Sequence, residues 1–180
     1  MLDTLLARHD VDPQRIAVIG IGHSGYLAAR GLCFEPRFAA AVADPGVVDL
    51  AGPWLDALPA LARRHLEARD HEAFNRELHL AELFSPTLSA TLDHDGQPFG
   101  LDHRSRFELY RTICAYRLGD ELSRLDTPLL ITHRGEDQWP RQAQRLFDRC
   151  LAAKALVCQP SEAVIFDWLE QQLGSEAHRP

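Results

Sequence analysis

The sequence predicts an α/β protein in which a short, mostly parallel sheet carries flanking helices and a helical insertion. Short apolar runs bounded by turn residues occur at residues 15–21, 38–44 and 128–133, as expected for strands buried on both faces. The first two runs enclose a helical pattern within about 30 residues, which is typical of a βαβ unit with a right-handed crossover. A more polar, helical stretch separates the second run from the third.

The N-terminal part predicts one helix followed by the βαβ unit. Leucines at helical spacing indicate a short helix at residues 1–9. The strand at 15–21 leads through a glycine-rich turn into a helix at 24–34. The second strand ends at Pro45-Gly46.

Residues 51–125 are interpreted as a helical cap insertion, because the βα pattern resumes after them. Their apolar residues form two helical stripes, and a loop rich in Asp, Gly and Pro is expected between the stripes at residues 93–98. The whole chain is therefore predicted to be one domain, 1–180, with parts at 1–50, 51–125 and 126–180.

The C-terminal part resumes the alternation of strands and helices. After the strand at 128–133, an amphipathic helix is predicted at 141–152 and a short strand at 155–158. Pro160 opens a last helix, and Gly174 ends it.

Composition excludes several classes of function. The net charge of -7 argues against nucleic-acid or anionic-membrane partners, which attract basic proteins. No stretch approaches the ~20 apolar residues of a membrane span, and the N-terminus lacks a signal-peptide pattern. The four cysteines have no metal-ligand spacing, so reduced thiols in a cytoplasmic protein are expected. The sequence predicts neither a metal nor a cofactor.

Four segments resemble parts of bacterial α/β-hydrolases, in the family's order. Residues 11–50 resemble the nucleophile-elbow region of the dipeptidyl aminopeptidase/acylaminoacyl-peptidase-like group, and they read VDPQRIAVIGIGHSGYLAARGLCFEPRFAAAVADPGVVDL. This group includes the fermentation-respiration-switch-type esterases. Three later segments resemble further parts of this group. The end of its helical cap and the strand after it are resembled by RFELYRTICAYRLGDELSRLDTPLLITH. Its acid-bearing loop is resembled by GEDQWPRQAQRLFD, and its closing helix by VIFDWLEQQLG. The resemblance implies a partial, truncated α/β-hydrolase fold with only the later strands of the family's sheet, and an ester or peptide hydrolase.

The same resemblance locates the nucleophile. The group's elbow has the form G-x-S-x-G-G-Y, and residues 20–26 read GIGHSGY. Without a gap, Gly22 occupies the serine position, and His23 is implied as the oxyanion donor. A register shifted by two residues makes Ser24 the nucleophile, with Tyr26 in place of a small residue. The alternative is that Ser24 simply opens the helix.

The other triad members are less complete. Asp137 matches the family's acid, and its neighbour Glu136 is the second choice. The family's histidine loop has no counterpart between the last strand and the last helix, and Val157 stands near the histidine position. His133 is the least poor substitute among the histidines.

Three other patterns resemble functional motifs. Asp93-His94-Asp95 resembles a metal tripeptide, but adjacent side chains point different ways, so a polar loop is favoured. Cys158 is a candidate reactive thiol, yet no histidine lies near it in sequence, and a buried, inert thiol is expected. The glycines at 20–25 have the G-x-G-x-x-G spacing of a dinucleotide-binding turn, but dinucleotide binding is disfavoured against the hydrolase elbow.

The missing serine and histidine predict a catalytically impaired pseudoenzyme. The alternatives are an active serine hydrolase that uses Ser24 and Asp137 on a small-molecule ester or peptide, or a non-enzymatic binding partner. If the family's earlier strands are missing, the strand at 15–21 has an exposed apolar edge, which predicts a homodimer through that edge.

Overall fold

The computed structural model describes residues 2–99, 105–135 and 140–174. The chain divides into two compact units. The sheet unit comprises Met1–Asp49 and Leu118–Pro180, and the helical unit comprises Leu50–Arg117. Asp137, Glu136 and the C-terminal tail lie outside the described residues.

Four parallel strands form the centre of the sheet unit, in the order β1-β2-β3-β4. They are β1 (Ala17–Ile21), β2 (Ala40–Asp44), β3 (Leu129–His133) and β4 (Lys154–Cys158). The predicted α/β fold with a short parallel sheet is therefore confirmed. Because the strands are parallel, their carboxyl ends meet at one edge of the sheet, which is where α/β folds place their sites.

The described helices lie between and after the strands. They are α1 (Leu2–Leu6), α2 (Ser24–Leu32), α3 (Gly52–Ala57), α4 (Ala60–Glu67), α5 (His71–Phe84), α6 (Pro86–Gly96), α7 (Arg106–Cys114), α8 (Pro140–Arg149) and α9 (Glu162–Leu173). No helix in these ranges is both long enough and apolar enough to cross a bilayer.

The two faces of the sheet are covered by different helices. Leu130 packs with Ile165 and Leu169 of α9 in one apolar cluster. Its neighbour Ile131 points to the opposite face, where it and Leu146 of α8 close around Gly46. Strands β2 and β3 are consequently buried almost throughout, as their apolar runs predict.

Strand β1 differs from the prediction of a strand buried on both faces. Ile19 is 38% exposed and Ile21 72% exposed, and only Gly20 of this strand is buried. The reason is its place in the sheet, since within the described residues β1 pairs with β2 alone. An apolar run has the same sequence pattern in a central strand and in an edge strand, so the sequence does not distinguish them.

The helical unit has a core of its own, built from leucines and aromatic rings of α4 to α7. Phe74 makes edge-to-face contacts with Phe107 and Tyr110 at centroid distances of 5.8 and 5.3 Å. Aromatic pairs in this geometry add stability beyond their buried area. The core therefore holds α5 and α7 together through specific ring contacts.

The loop expected at residues 93–98 is largely helical, so that prediction is wrong. Helix α6 continues to Gly96 and is followed by a single 3₁₀ turn. Ser85 caps α6 by accepting the Leu88 N–H at 3.3 Å. Asp93 lies within the helix and forms an ion pair with the buried Arg106 at 2.7 Å. A tertiary contact thus fixes a segment whose composition is typical of a loop.

Candidate functional site

The turn between β1 and α2 has the shape of a sharp bend. Gly22 follows the strand directly and adopts φ +63°, in the left-handed region that favours glycine. Its N–H donates a 2.7 Å hydrogen bond to the carbonyl oxygen of Asp44 at the end of β2. A Cβ built on Gly22 would meet no atom within 4 Å. A side chain at this position would therefore face open space beyond the sheet.

The glycines that flank the bend have the opposite surroundings. A Cβ on Gly20 would lie 2.2 Å from the carbonyl oxygen of Ser24, and one on Gly25 would lie 2.0 Å from that of Pro45. Both distances are too short for any side chain, because the neighbouring atoms belong to the backbone. Glycine at these two positions lets α2 pack directly onto β1 and β2.

Ser24 is the first residue of α2 and is exposed. No side-chain hydrogen bond joins it to another described residue. It lines an apolar cleft of about 240 Å³ between β1 and α2, next to Val18 and Leu27. The structure thus places Ser24 two residues beyond the bend, with no described imidazole bonded to its hydroxyl.

His23 lies between the bend and Ser24. It is the N-cap residue of α2, with φ −58° and ψ −24°, and its side chain makes no capping hydrogen bond. Its carbonyl oxygen accepts the Tyr26 N–H at 3.2 Å, which forms the first turn of the helix. In the hydrolase elbow the oxyanion donor is the N–H after the nucleophile. That group is the His23 N–H if Gly22 takes the nucleophile's position.

Asp44 is a site residue that the sequence analysis did not single out. It ends β2, is 9% exposed, and its Oδ1 accepts a 2.5 Å hydrogen bond from the Thr132 hydroxyl. Arg134 approaches its Oδ2 at 3.4 Å. Because its backbone oxygen also binds Gly22, Asp44 links the ends of three strands. The available signal was a charged residue at the end of an otherwise apolar run, FAAAVAD.

The acid proposed from the resemblance, Asp137, falls outside the described residues, as does Glu136. The candidates for the base are described. Val157 is half-buried and packs against the apolar cluster beneath α9. Three residues, 159–161, connect β4 to α9. This short connection leaves no described histidine between the last strand and the last helix.

His133 ends β3 and is half-buried. Its Nδ1 is buried and has no hydrogen-bond partner among the described residues. The sheet register pairs His133 with Cys158, so both side chains leave the same face of the sheet. Cys158 is exposed, so the expectation of a buried thiol is wrong. It ends an edge strand, a place that its sequence does not reveal.

The carboxyl edge of the sheet therefore gathers a glycine bend, a buried carboxylate and a histidine, each from a different strand. A hydrolase triad requires a nucleophile hydrogen-bonded to an imidazole that a carboxylate orients. Among the described residues, no imidazole is hydrogen-bonded to the Ser24 hydroxyl.

No protein-family model matches the chain, and no curated protein matches it. Several solved structures do match the chain. The hypothetical protein PA2218 from Pseudomonas aeruginosa has a TM-score of 0.59 and 14% identity, over 96% of this chain and 64% of that one. The α/β hydrolase GrgF from Penicillium sp. sh18 has a TM-score of 0.54 and 15% identity, over 96% and 68%. Acetyl xylan esterase 1 from Thermoanaerobacterium has a TM-score of 0.49 and 16% identity, over 96% and 49%.

This chain spans about half to two thirds of the length of these three structures. At such identities the likeness concerns the fold and not the reaction. Two of these structures match 96% of the chain at TM-scores above 0.5. The chain has an α/β fold of the kind found in α/β hydrolases.

Proposed function

We propose that the chain is an α/β-hydrolase-type protein whose serine-hydrolase chemistry is impaired. One observation carries the proposal, namely Gly22 at φ +63° in the bend between β1 and α2. In this fold the nucleophile stands on that bend, with its oxygen exposed above the sheet. Glycine has no side-chain oxygen with which to attack a carbonyl carbon. The removal of one triad member leaves only small residual rates in the serine proteases.

The proposal extends to the substrate class. The ordered resemblance of four segments supports the dipeptidyl aminopeptidase/acylaminoacyl-peptidase-like group and its esterases. A small-molecule ester or peptide is therefore the ligand class that we assign to this edge of the sheet.

All four cysteines are free thiols, which supports a reducing compartment such as the cytoplasm.

Two alternatives remain as outcomes of the test. In the first, Ser24 and Asp137 form an active hydrolase, which the exposure of Ser24 at a cleft favours. In the second, the chain is a non-enzymatic binding partner. The two differ in whether Ser24 is needed for any covalent chemistry.

Turnover of p-nitrophenyl acetate discriminates between these outcomes. The wild-type chain and Ser24→Ala are expected to release p-nitrophenolate at the same rate as buffer. A Cys158→Ser variant controls for acyl transfer to the exposed thiol. Turnover that is present in the wild type and Cys158→Ser but lost in Ser24→Ala would instead establish the active hydrolase.

We also propose that a second copy of the chain pairs with the outer edge of β1. The sheet order leaves that edge without a partner among the described residues, and Ile19 and Ile21 are exposed beside it. Such an edge presents unpaired backbone groups to another chain. A second copy offers the same edge, so a twofold contact is self-complementary.

Sedimentation velocity at micromolar concentration tests the association. The wild type is expected to sediment as a dimer, and Ile21→Lys as a monomer, because a lysine at an edge opposes strand pairing. Ile165→Val, in the apolar cluster beneath α9, controls for a general loss of packing. A monomeric wild type would contradict the proposed edge contact.

A further inference from the structure

We propose that the helical unit binds an amphipathic carboxylate in a cavity formed by its own residues. The cavity has a volume of about 590 Å³ and lies among α3, α4, α5 and α7. This volume is within the range of small-molecule sites in proteins. Every lining residue belongs to Leu50–Arg117, so the inference does not depend on the hydrolase chemistry of the sheet unit.

The floor of the cavity is apolar and held in place by ring contacts. Leu55, Leu66 and Phe107 contribute to it. Phe107 is buried, and the His71 ring stacks on it at a centroid distance of 3.8 Å. Phe74 also contacts Phe107, edge-to-face at a centroid distance of 5.8 Å. A preformed apolar surface of this kind binds the hydrocarbon part of a ligand without first having to order itself.

The rim of the cavity carries more positive than negative charge. The lining includes three arginines, Arg63, Arg69 and Arg111, and one carboxylate, Glu67. Two of the arginines have partners within the protein. Arg63 donates to the carbonyl oxygen of Leu55, and Arg111 pairs with Glu108 at 2.8 Å. The guanidinium of Arg69 forms no hydrogen bond or ion pair with a described residue.

Arg69 also occupies an unusual backbone position. It follows the C-cap residue of α4, Ala68, and adopts φ +56°. Helices commonly place glycine at this point, because other residues are strained in the left-handed region. Arginine at this position therefore ends the helix less favourably than glycine would. A strained residue whose side chain lines a cavity, and has no partner in the part of the chain that the structure describes, points to a ligand.

The chemistry of the two parts defines the ligand. The planar guanidinium fork matches the two oxygens of a carboxylate in a bidentate hydrogen bond. The apolar floor takes a hydrocarbon or aromatic body. A medium-chain fatty acid has both parts, with one negative charge at the end of an apolar chain, and octanoate is a soluble probe of this class.

Isothermal titration of the full chain with octanoate tests the proposal, with octanamide as a neutral probe of the same shape. Octanoate is expected to bind at least about tenfold more tightly than octanamide, as a charge-assisted hydrogen bond requires. Arg69→Gly and Arg69→Gln are both expected to weaken octanoate binding by about tenfold. Arg64→Gln, an exposed position of α4 outside the cavity, is expected to bind like the wild type.

The Arg69→Gly variant separates binding from folding. Because glycine suits the left-handed conformation, this variant is expected to unfold at or above the wild-type temperature while losing affinity. Equal affinity for octanoate and octanamide would overturn the proposal. So would unchanged binding in both Arg69 variants, or the absence of octanoate binding to the wild type.

Discussion

The N–H of Gly22 donates a 2.7 Å hydrogen bond to the carbonyl oxygen of Asp44, which joins the bend after β1 to the end of β2. The Asp44 carboxylate in turn accepts the Thr132 hydroxyl from β3. The backbone and the side chain of Asp44 thereby connect the ends of β1, β2 and β3. The bend keeps its shape through these contacts although its central residue has no side chain.

The glycines around the bend are expected to respond differently to alanine. Gly25→Ala places a Cβ 2.0 Å from the Pro45 oxygen, so we expect the free energy of unfolding to fall by about 3 kcal/mol or more. Gly31→Ala is the matched control in the same helix, where a Cβ meets nothing within 4 Å. It should stabilise the protein by up to ~1 kcal/mol through helix propensity. Urea denaturation measures both, and equal effects would contradict the close packing of α2.

The buried ion pairs of the helical unit predict that loss of the Arg106 charge lowers the free energy of unfolding. The Arg106 guanidinium donates to Glu82 at 2.6 Å, pairs with Asp93 at 2.7 Å and is 7% exposed as a residue. The bond to Glu82 raises the pKa of Arg106, so its charge persists at all accessible pH. Arg106→Gln leaves two carboxylates without their cation and should cost about 3 kcal/mol.

The control for this variant is Arg111→Gln. Arg111 pairs with Glu108 one helical turn away, and its side chain is 68% exposed. Exposed pairs contribute little, so the free energy of unfolding should change by less than ~1 kcal/mol. Similar losses in the two variants would mean that the Arg106 cluster is not buried as described.

Tyr110 predicts a dependence of stability on alkaline pH. Burial raises the pKa of Tyr110 from 10.0 to about 12, and the residue is 4% exposed. Above pH 10 the unfolded chain loses this proton while the folded chain keeps it. Stability is therefore present in full below pH 10 and lost as pH rises to about 12, by about 2–3 kcal/mol. Tyr110→Phe should flatten the curve of unfolding free energy against pH in this window, and an unchanged slope would contradict the burial of the hydroxyl.

The cysteines predict an order of alkylation by iodoacetamide. Burial raises the pKa of Cys33 and of Cys150, which lowers the thiolate fraction as well as access. Cys158 is exposed at the end of β4. Mass spectrometry of the native chain should find Cys158 modified first and the two buried thiols last. Cys158→Ser should remove the fast phase, and rapid modification of Cys150 in native protein would contradict the packing of α8.

The strands and most helices could be predicted because their sequence patterns are local. Each of the three long apolar runs becomes a strand, beginning one or two residues later than the run. The fourth strand begins at Lys154, one residue earlier than expected. Helix α9 has its cap at Ser161, directly after Pro160, the predicted first residue of the helix. Apolar runs and caps depend on neighbouring residues, so a single sequence contains them.

The remaining features depend on contacts between distant residues. Asp93 lies in a helix and pairs with Arg106, although its neighbours have the composition of a loop. Asp44 becomes a junction through Thr132, which lies 88 positions away in sequence. The exposure of Ile21 and Cys158 follows from their strands lying at the two edges of the sheet. No local pattern encodes which strands lie at the edges.

Labelling by a fluorophosphonate tests the central claim, that the bend presents a glycine where a hydrolase presents its serine. The reagent forms a covalent adduct with an activated serine, which intact-mass spectrometry detects. We predict no adduct on the folded wild-type chain and none on Ser24→Ala. An adduct on the wild type that disappears in Ser24→Ala would show that Ser24 is the nucleophile and would contradict the proposed function.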